Sequence, residues 1–358
     1  MRRALSLTVD PSARVAIWIV AILSILAVVY FAASVLAPLV LAFFIIAIVW
    51  PLQAALKKHV PVLLALAITI CLTVAVCLGF ASLAVWAFGR VGRSLITDAT
   101  RYQSFYTTVV AWLDIHGISV AGLWAEHFNV GWLLRTAQQV TSRINTTLSF
   151  WLIALVYVIL GLIEVDDARA KCLALKNRTA AALLMDGSAA TALKFRKFLW
   201  VRTQMSAMTG LLVGTFVWIM GLQFAAEWGA IAFVLNYIPF IGPFIATLFP
   251  TLLAMTQLET WQGVIVTFIC LNIIQFVVGS YIEPRVSGNV LSISPIFVLF
   301  AIFVWTFMWG LFGTFIGVPI TIAILTFCDQ NPASRWIAEL LGGPAPAAAA
   351  AKPAVPAI

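Results

Sequence analysis

The chain has 358 residues, of which 63% are hydrophobic and 9% charged, with a mean hydropathy of +1.07. A soluble domain of this length cannot hide that much apolar side chain, so composition excludes a soluble enzyme or binding module and points to a polytopic α-helical membrane protein. The apolar runs are continuous, which excludes a β-barrel of alternating ten-residue segments, and the net charge of +8 collects in particular loops as membrane topology requires, with no basic–aromatic run suited to nucleic acid.

The first span is Val15 to Ser34, preceded by Arg2, Arg3 and Arg14. It is longer than the apolar core of a signal peptide and is read as a retained span. The second, Val35 to Leu52, has Pro38 near its start and is closed by Lys57, Lys58 and His59. The third runs from Pro61 to Phe88. Basic residues at the N-terminus and at 57–58 place both inside, with two crossings between them. From Gly89 to Thr147 the chain turns polar, and parity places this segment outside. Tyr102, Phe105, Tyr106, Val109, Trp112 and Leu113 recur at three and four, as do Leu133, Leu134, Ala137, Val140 and Ile144. These patterns predict two amphipathic helices at a membrane interface or on a neighbouring subunit.

A fourth span, Leu148 to Ile163, leads into "EVDDARAK". Eight basic residues between Glu164 and Arg202 mark this stretch as an inner loop. Glu164, Asp166 and Asp167 read as a solvated helix end in preference to a cation site. The fifth span is Thr203 to Phe224. Apolar runs follow at Trp228–Leu258, Thr260–Ile282 and Val290–Cys328. The last, as a straight helix, reaches roughly 58 Å against a core of about 30 Å, so it must be broken, tilted or re-entrant. The Ala/Pro tail "GGPAPAAAAAKPAVPAI" is low-complexity and expected to be disordered from about 342.

The expected architecture is therefore all-α, with about eight transmembrane helices and broken or re-entrant segments in the C-terminal half. Residues 1–88 form an N-terminal region of three spans and 89–147 an extracytoplasmic amphipathic segment. Residues 148–328 form a membrane transport core with a cytoplasmic loop at 164–202, and 329–358 a cytoplasmic tail. Five cysteines without a CxxC pair or a nearby histidine read as packed free thiols, with no metal site and no cofactor.

The strongest local signal is "NYIPFIGP", Asn236 to Pro243, inside an uncharged apolar run. Pro239 and Pro243 each remove a backbone donor and disfavour helix in the preceding residue, and Gly242 frees the same turn. Irregular backbone at membrane depth is tolerated where protein buries it or water lines it. Two prolines, a glycine and Asn236 within eight residues therefore predict a broken helix or a hairpin tip. A second irregular site is "YIEPRVSGN", Tyr281 to Asn289, where Glu283 and Arg285 flank Pro284 and Gly288 follows. An ordinary solvated polar loop is the competing reading. A third is "WGLFGTFIGVP", with Gly310, Gly313 and Pro319; Gly313 and Gly317 have GxxxG spacing, repeated at Gly210 and Gly214, for which close helix packing suffices. Broken apolar segments recurring in one half of a membrane chain are the best sequence pointer to a transport site.

In order and spacing, "NYIPFIGP", "YIEPRVSGNVLSISP" and "WGLFGTFIGVPI" resemble the autoinducer-2 exporter family of bacterial membrane proteins, most strongly from Arg202 to Ile324. The Ile-Pro-x-Ile-Gly-Pro hallmark falls on Ile238 to Pro243, the Glu/Pro/Gly turn on Glu283, Pro284 and Gly288, the Ser-Pro entry on Ser294 and Pro295, and the closing glycines and proline on Gly310, Gly313 and Pro319. The resemblance implies a permease acting as a homo-oligomer in the bacterial inner membrane. It does not fix the substrate, since members are associated with export of a quorum-sensing furanone and in some cases with sodium/proton exchange.

The expectation is an exporter of a small polar metabolite or signalling molecule, gradient-driven or facilitated, with both termini cytoplasmic. Its candidate path is Asn236, Pro239, Gly242, Pro243, Glu283, Pro284, Arg285, Gly288, Gly310, Gly313 and Pro319. A sodium/proton antiporter and a non-transporting scaffold are the alternatives. No nucleophile elbow, zinc motif or phosphate loop suggests an enzyme, and no Walker motif supplies ATP drive. The expected partners are a small-molecule substrate, the lipid bilayer and further copies of the chain.

Overall fold

The computed structural model describes residues 11–97, 111, 115, 144–258, 260–287 and 293–342. The outer amphipathic helices expected between Tyr102 and Ile144, Gly288 and the Ala/Pro tail lie, but for Ala111, Ile115, Ile144 and Gly342, outside the described residues. Within them the chain is helical apart from turns and one isolated bridge, Ile293 to Gly342. Helix is what an apolar chain in lipid must form, because each backbone N–H and C=O then finds its partner within its own segment. Six described stretches are long and apolar enough to cross a bilayer.

Helices α1 (Pro11–Phe31) and α2 (Ala33–Leu56) meet at Ala32, whose ψ is 17°. Ala32 N–H still bonds Val28 O, and Leu36 N–H bonds Ala32 O. A change of roughly 60° from helical ψ at one residue bends the axis but does not reverse it. The two crossings expected between residues 15 and 52 are thus a bent rod, not an antiparallel pair. The inference that both termini share a side loses that support. Helix α3 (Val62–Thr97) carries the third span nine residues past Phe88. Helix α4 (Ile144–Leu173) runs straight through "EVDDARAK", with Lys57 Nζ 2.7 Å from Asp166 Oδ2. Asp166 is mostly exposed, as a solvated helix end should be, and such a pair contributes at most about 1 kcal/mol.

Helix α5 (Arg178–Ile219) is the central post, 42 residues and roughly 63 Å long. The Asn177 side chain caps it by accepting from Ala180 N–H at 3.1 Å. Its first half carries Lys194, Arg196 and Lys197, so most of the expected inner loop is helix. Arg196 Nη1 donates to Ala47 O at 3.3 Å and ties this half to α2.

Beyond α5 the chain turns through Phe224 (φ 64°) into α6 (Ala225–Leu235) and α7 (Ile241–Gln257). These two are antiparallel arms: Gln223 N–H, before the first, donates to Gln257 Oε1, at the end of the second, at 2.9 Å. At 11 and 17 residues, roughly 17 and 26 Å, neither crosses a core of about 30 Å. Glycines let α6 lie against α5: a Cβ on Gly229 would sit 2.8 Å from Gly210 O, and one on Gly210 2.6 Å from Gly229 O. The Gly210/Gly214 spacing is therefore a packing seam. Gly229→Leu is expected to push the helices apart at a cost of about 1–3 kcal/mol, read as a lower midpoint in thermal unfolding followed by fluorescence-detected size exclusion. An unchanged midpoint would show that the seam is not close-packed in the protein.

Helix α8 (Trp261–Phe276), capped by Thr260, passes through a π-helical turn (Val277–Ile282) into α9 (Glu283–Ser287). The final apolar run, α10 (Pro295–Gln330), is broken at Trp309 (φ −132°) and Gly310 (φ 63°, ψ −143°). Thr306 Oγ1 lies 2.8 Å from Thr314 Oγ1, and Trp305 packs on Gly313 and Gly317. Eight residues of straight helix span roughly 12 Å, so α10 folds back on itself as a second hairpin. Both long runs are thus hairpins. Helix α11 (Arg335–Leu341) closes the open end of the second hairpin, where Ser294 N–H donates to Leu341 O at 3.2 Å.

Candidate functional site

The two hairpins approach α5 from opposite ends. The first opens beside the C-terminal end of α5, at Gln223 and Gln257. The second opens beside its N-terminal half, where Phe327 packs on Gly187. Ile302, Ile316 and Ile322 of the second hairpin share a core with Phe195 and Phe198 of α5 and Leu41 and Phe44 of α2.

The first tip is the "NYIPFIGP" motif. Helix α6 ends at Leu235, where Pro239 cannot donate four residues on. Phe240 (φ 64°, ψ −52°) forms the centre of a γ-turn in which Ile241 N–H donates to Pro239 O at 2.7 Å. That conformation is strained for a residue with a Cβ. Gly242 N–H donates to Ile238 O at 3.0 Å and restarts the helix, with Pro243 in its first turn. Among the described residues, no backbone N–H bonds the carbonyls of Asn236 and Tyr237. The tip therefore offers acceptors, as two prolines so close together predict.

A polar stripe on α5 receives this tip. Asn236 is buried and its Nδ2 donates to Ser206 Oγ at 3.2 Å. Tyr237 OH donates to Thr203 Oγ1 at 2.8 Å. One residue before Thr203, Arg202 Nη1 donates to Glu283 Oε1 at 2.6 Å, with the arginine side chain 9% and the glutamate 19% exposed. Thr209, one turn beyond Ser206, is wholly buried and its hydroxyl has no partner among the described residues. The Tyr237 ring stacks on Phe315 of the second hairpin at 6.0 Å, and Phe80 of α3 meets it edge-on at 5.4 Å. Three irregular elements thus converge on one short length of α5.

The expected residues divide accordingly. Asn236, Pro239, Gly242 and Pro243 build the first tip, and Glu283 joins it through Arg202. Gly310 turns the second tip, Gly313 is buried against the Trp305 carbonyl, and Pro319 is buried within the returning arm. Arg285 does not join: it is exposed, and its guanidinium lies 3.8 Å over the Tyr281 ring, a cation–π contact. Pro284 is exposed as well, and Glu283–Ser287 continues as helix where a turn was expected. Sequence reading missed Arg202, Thr203 and Ser206. Glu227 of α6 is likewise buried, 2.8 Å from Arg90 of α3. All five cysteines are free, and no metal-ligand cluster occurs among the described residues.

Opposed helical hairpins meeting on a polar stripe inside an apolar bundle define a class, the polytopic membrane transport proteins. Residues 19–332 match the AI-2E family transporter profile, and the chain belongs to that family. It is 26% identical over 318 residues to the AI-2 transport protein TqsA of Escherichia coli K12, covering 87% of this chain and 90% of that one. It is also similar to a putative transport protein of Borreliella burgdorferi (30% over 148 residues) and to the putative transport protein YhhT of E. coli K12 (30% over 145 residues). These two matches span 41% of each relative and 41% and 40% of this chain.

Proposed function

We propose that the protein exports a small, uncharged, hydroxyl-bearing solute across the bacterial inner membrane, gradient-driven or facilitated, along a path past the two hairpin tips. The observation that carries this reading is the meeting of the "NYIPFIGP" tip with Thr203, Ser206 and Glu283-paired Arg202 of α5. Discontinuous helices place unpaired carbonyls and side-chain amides where a solute must shed water. Among the described residues the charges at the meeting point are one arginine and its glutamate, so a neutral solute adds no unpaired charge there. The end carrying Lys57, Lys194 and Phe327 is the cytoplasmic one, with α11 on it. The uncovered apolar surface of α1 suits lipid and further copies of the chain in a homo-oligomer.

Sodium/proton exchange needs a buried carboxylate free to give up its partner. Glu227 and Glu283 each hold an arginine, at 2.8 and 2.6 Å, which favours the solute reading. Purified protein in liposomes, offered AI-2 (the solute in the E. coli relative's name), glycerol, erythritol and xylitol, with and without proton or sodium gradients, tests both. At least one neutral solute is expected to move faster than through empty liposomes, and Asn236→Ala to slow it about tenfold with reconstitution unchanged, as loss of a charge-free polar contact of about 1.4 kcal/mol would. Sodium-driven proton movement with no solute flux would overturn the reading in favour of exchange.

A further inference from the structure

The helix that carries Glu283 is irregular just ahead of it. Across Val277–Ile282 it is a π-helix, and Glu283 N–H bonds the carbonyl of Val278, five residues back. Val278 is buried against Val201 and Met205 of α5, and Glu283 meets Arg202 of the same helix. Both residues therefore face α5, five positions apart. In an α-helix residues five apart point about 140° from each other, and the residue four on shares the face. A straight α-helix from Val278 would set Ile282, an apolar side chain, opposite Arg202. The one extra residue held by the π turn brings the carboxylate there instead.

The residue after Glu283 gives a physical reason for a π turn here. Pro284 has no N–H to give Ser280 O, and in α geometry its ring crowds that carbonyl. Widening the turn relieves the crowding. Gly279, within the turn, has no atom within 4 Å of where a Cβ would lie, so close packing at Gly279 does not impose it. Arg202 gains from the aim: its Nη1 is satisfied while its Nε, also buried, has no partner, so Glu283 is the one acceptor this guanidinium holds among the described residues. Without Glu283 it is a buried, unpaired cation beside the first hairpin tip.

We propose that Pro284 is a positioning residue of the transport site: by holding the π turn open it aims Glu283 at Arg202. The inference rests on the solute-path reading, and one of its tests needs no solute. Pro284→Ala lets the segment relax to α and turns Glu283 off Arg202, so flux of whichever AI-2 or polyol probe the parent moves is expected to fall about tenfold or more. Deleting Gly279 in that variant sets Val278 and Glu283 four apart, the α spacing, and is expected to restore flux to within about threefold of the parent. A merely structural proline is not rescued by losing a residue elsewhere. The solute-free arm is a stability cycle: Glu283→Gln lowers the unfolding midpoint of the parent and lowers that of Pro284→Ala by less than half as much.

Flux at the parent rate in Pro284→Ala, or no recovery on deleting Gly279, overturns the proposal. So does a cycle in which the two substitutions simply add. If Pro284→Ala fails to assemble, recovery of assembly and flux in the deletion variant decides for the proposal, and continued failure against it. If the parent moves none of the probes, the solute-path reading fails and the cycle alone decides the aiming of Glu283.

Discussion

Gly242→Ala is expected to abolish solute flux and to cut the yield of assembled protein. A Cβ at this position would fall inside the contact shell of the Leu235 carbonyl oxygen and 3.2 Å from Asn236 N. Both are backbone atoms of a turn already at its limit, and neither can rotate away as a side chain would. The turn is closed by Gly242 N–H on Ile238 O and by the strained γ-turn at Phe240, so opening it enough for a methyl group breaks one or both. Overpacking of this kind costs about 1–3 kcal/mol, and strain already stored in the backbone leaves little room to relax. The geometry makes the fold itself the first casualty. Gly313, equally tight against the Trp305 carbonyl at the second tip, should behave alike. Gly79→Ala, within α3 and with no atom within 4 Å of its Cβ, is the neutral comparison. Fluorescence-detected size exclusion and liposome flux measure both effects. A Gly242→Ala protein that assembles and transports like the parent would mean that the tip is wider than the structure has it.

The first tip was legible in the sequence because proline and glycine act locally: two missing donors and one missing Cβ dictate a break whatever surrounds them. The second was legible from length alone, which required a break without placing it. Its reversal depends on the positive φ of Gly310, which the spacing of the glycines does not encode. The bend at Ala32 had no signal, since nothing in the chemistry of a single alanine asks for a ψ of 17°. Arg202 was hidden for a different reason. It ends a run of eight basic residues, and seven of them account fully for topology, so the eighth drew no separate notice. What distinguishes it is burial, with Glu283 of α9 against it. Ser206 and Thr203 were masked likewise, as small polar residues in a membrane helix ordinarily bond their own backbone. Glu283 was found, but its partner was left open. The sequence separation of two from Arg285 suggested a turn, while the π spacing from Val278 points it at α5.

Arg202→Met is expected to cost about 3 kcal/mol of stability and to remove transport. The figure lies at the low end for breaking a buried ion pair because Glu283 keeps 19% of its side chain exposed and so retains some hydration. Methionine fills much of the space of the arginine stem, so the loss comes from the stranded carboxylate and not from a cavity. This energy makes a second experiment informative. Replacing both partners, Arg202→Met with Glu283→Met, removes two desolvated charges together, and such replacements are commonly neutral or stabilising. The double variant is therefore expected to recover the unfolding midpoint of the parent or exceed it. Transport is expected to stay lost, because an apolar pair offers nothing polar beside Asn236 and Tyr237 where the solute passes. Exchanging the charges, Arg202→Glu with Glu283→Arg, keeps the pair but reverses its dipole against the hairpin tip, and partial flux is expected. The decisive comparison is between midpoint and flux in the double methionine variant. If both return together, the pair serves only to hold α9 against α5, and the polar solute path must run elsewhere than past Arg202.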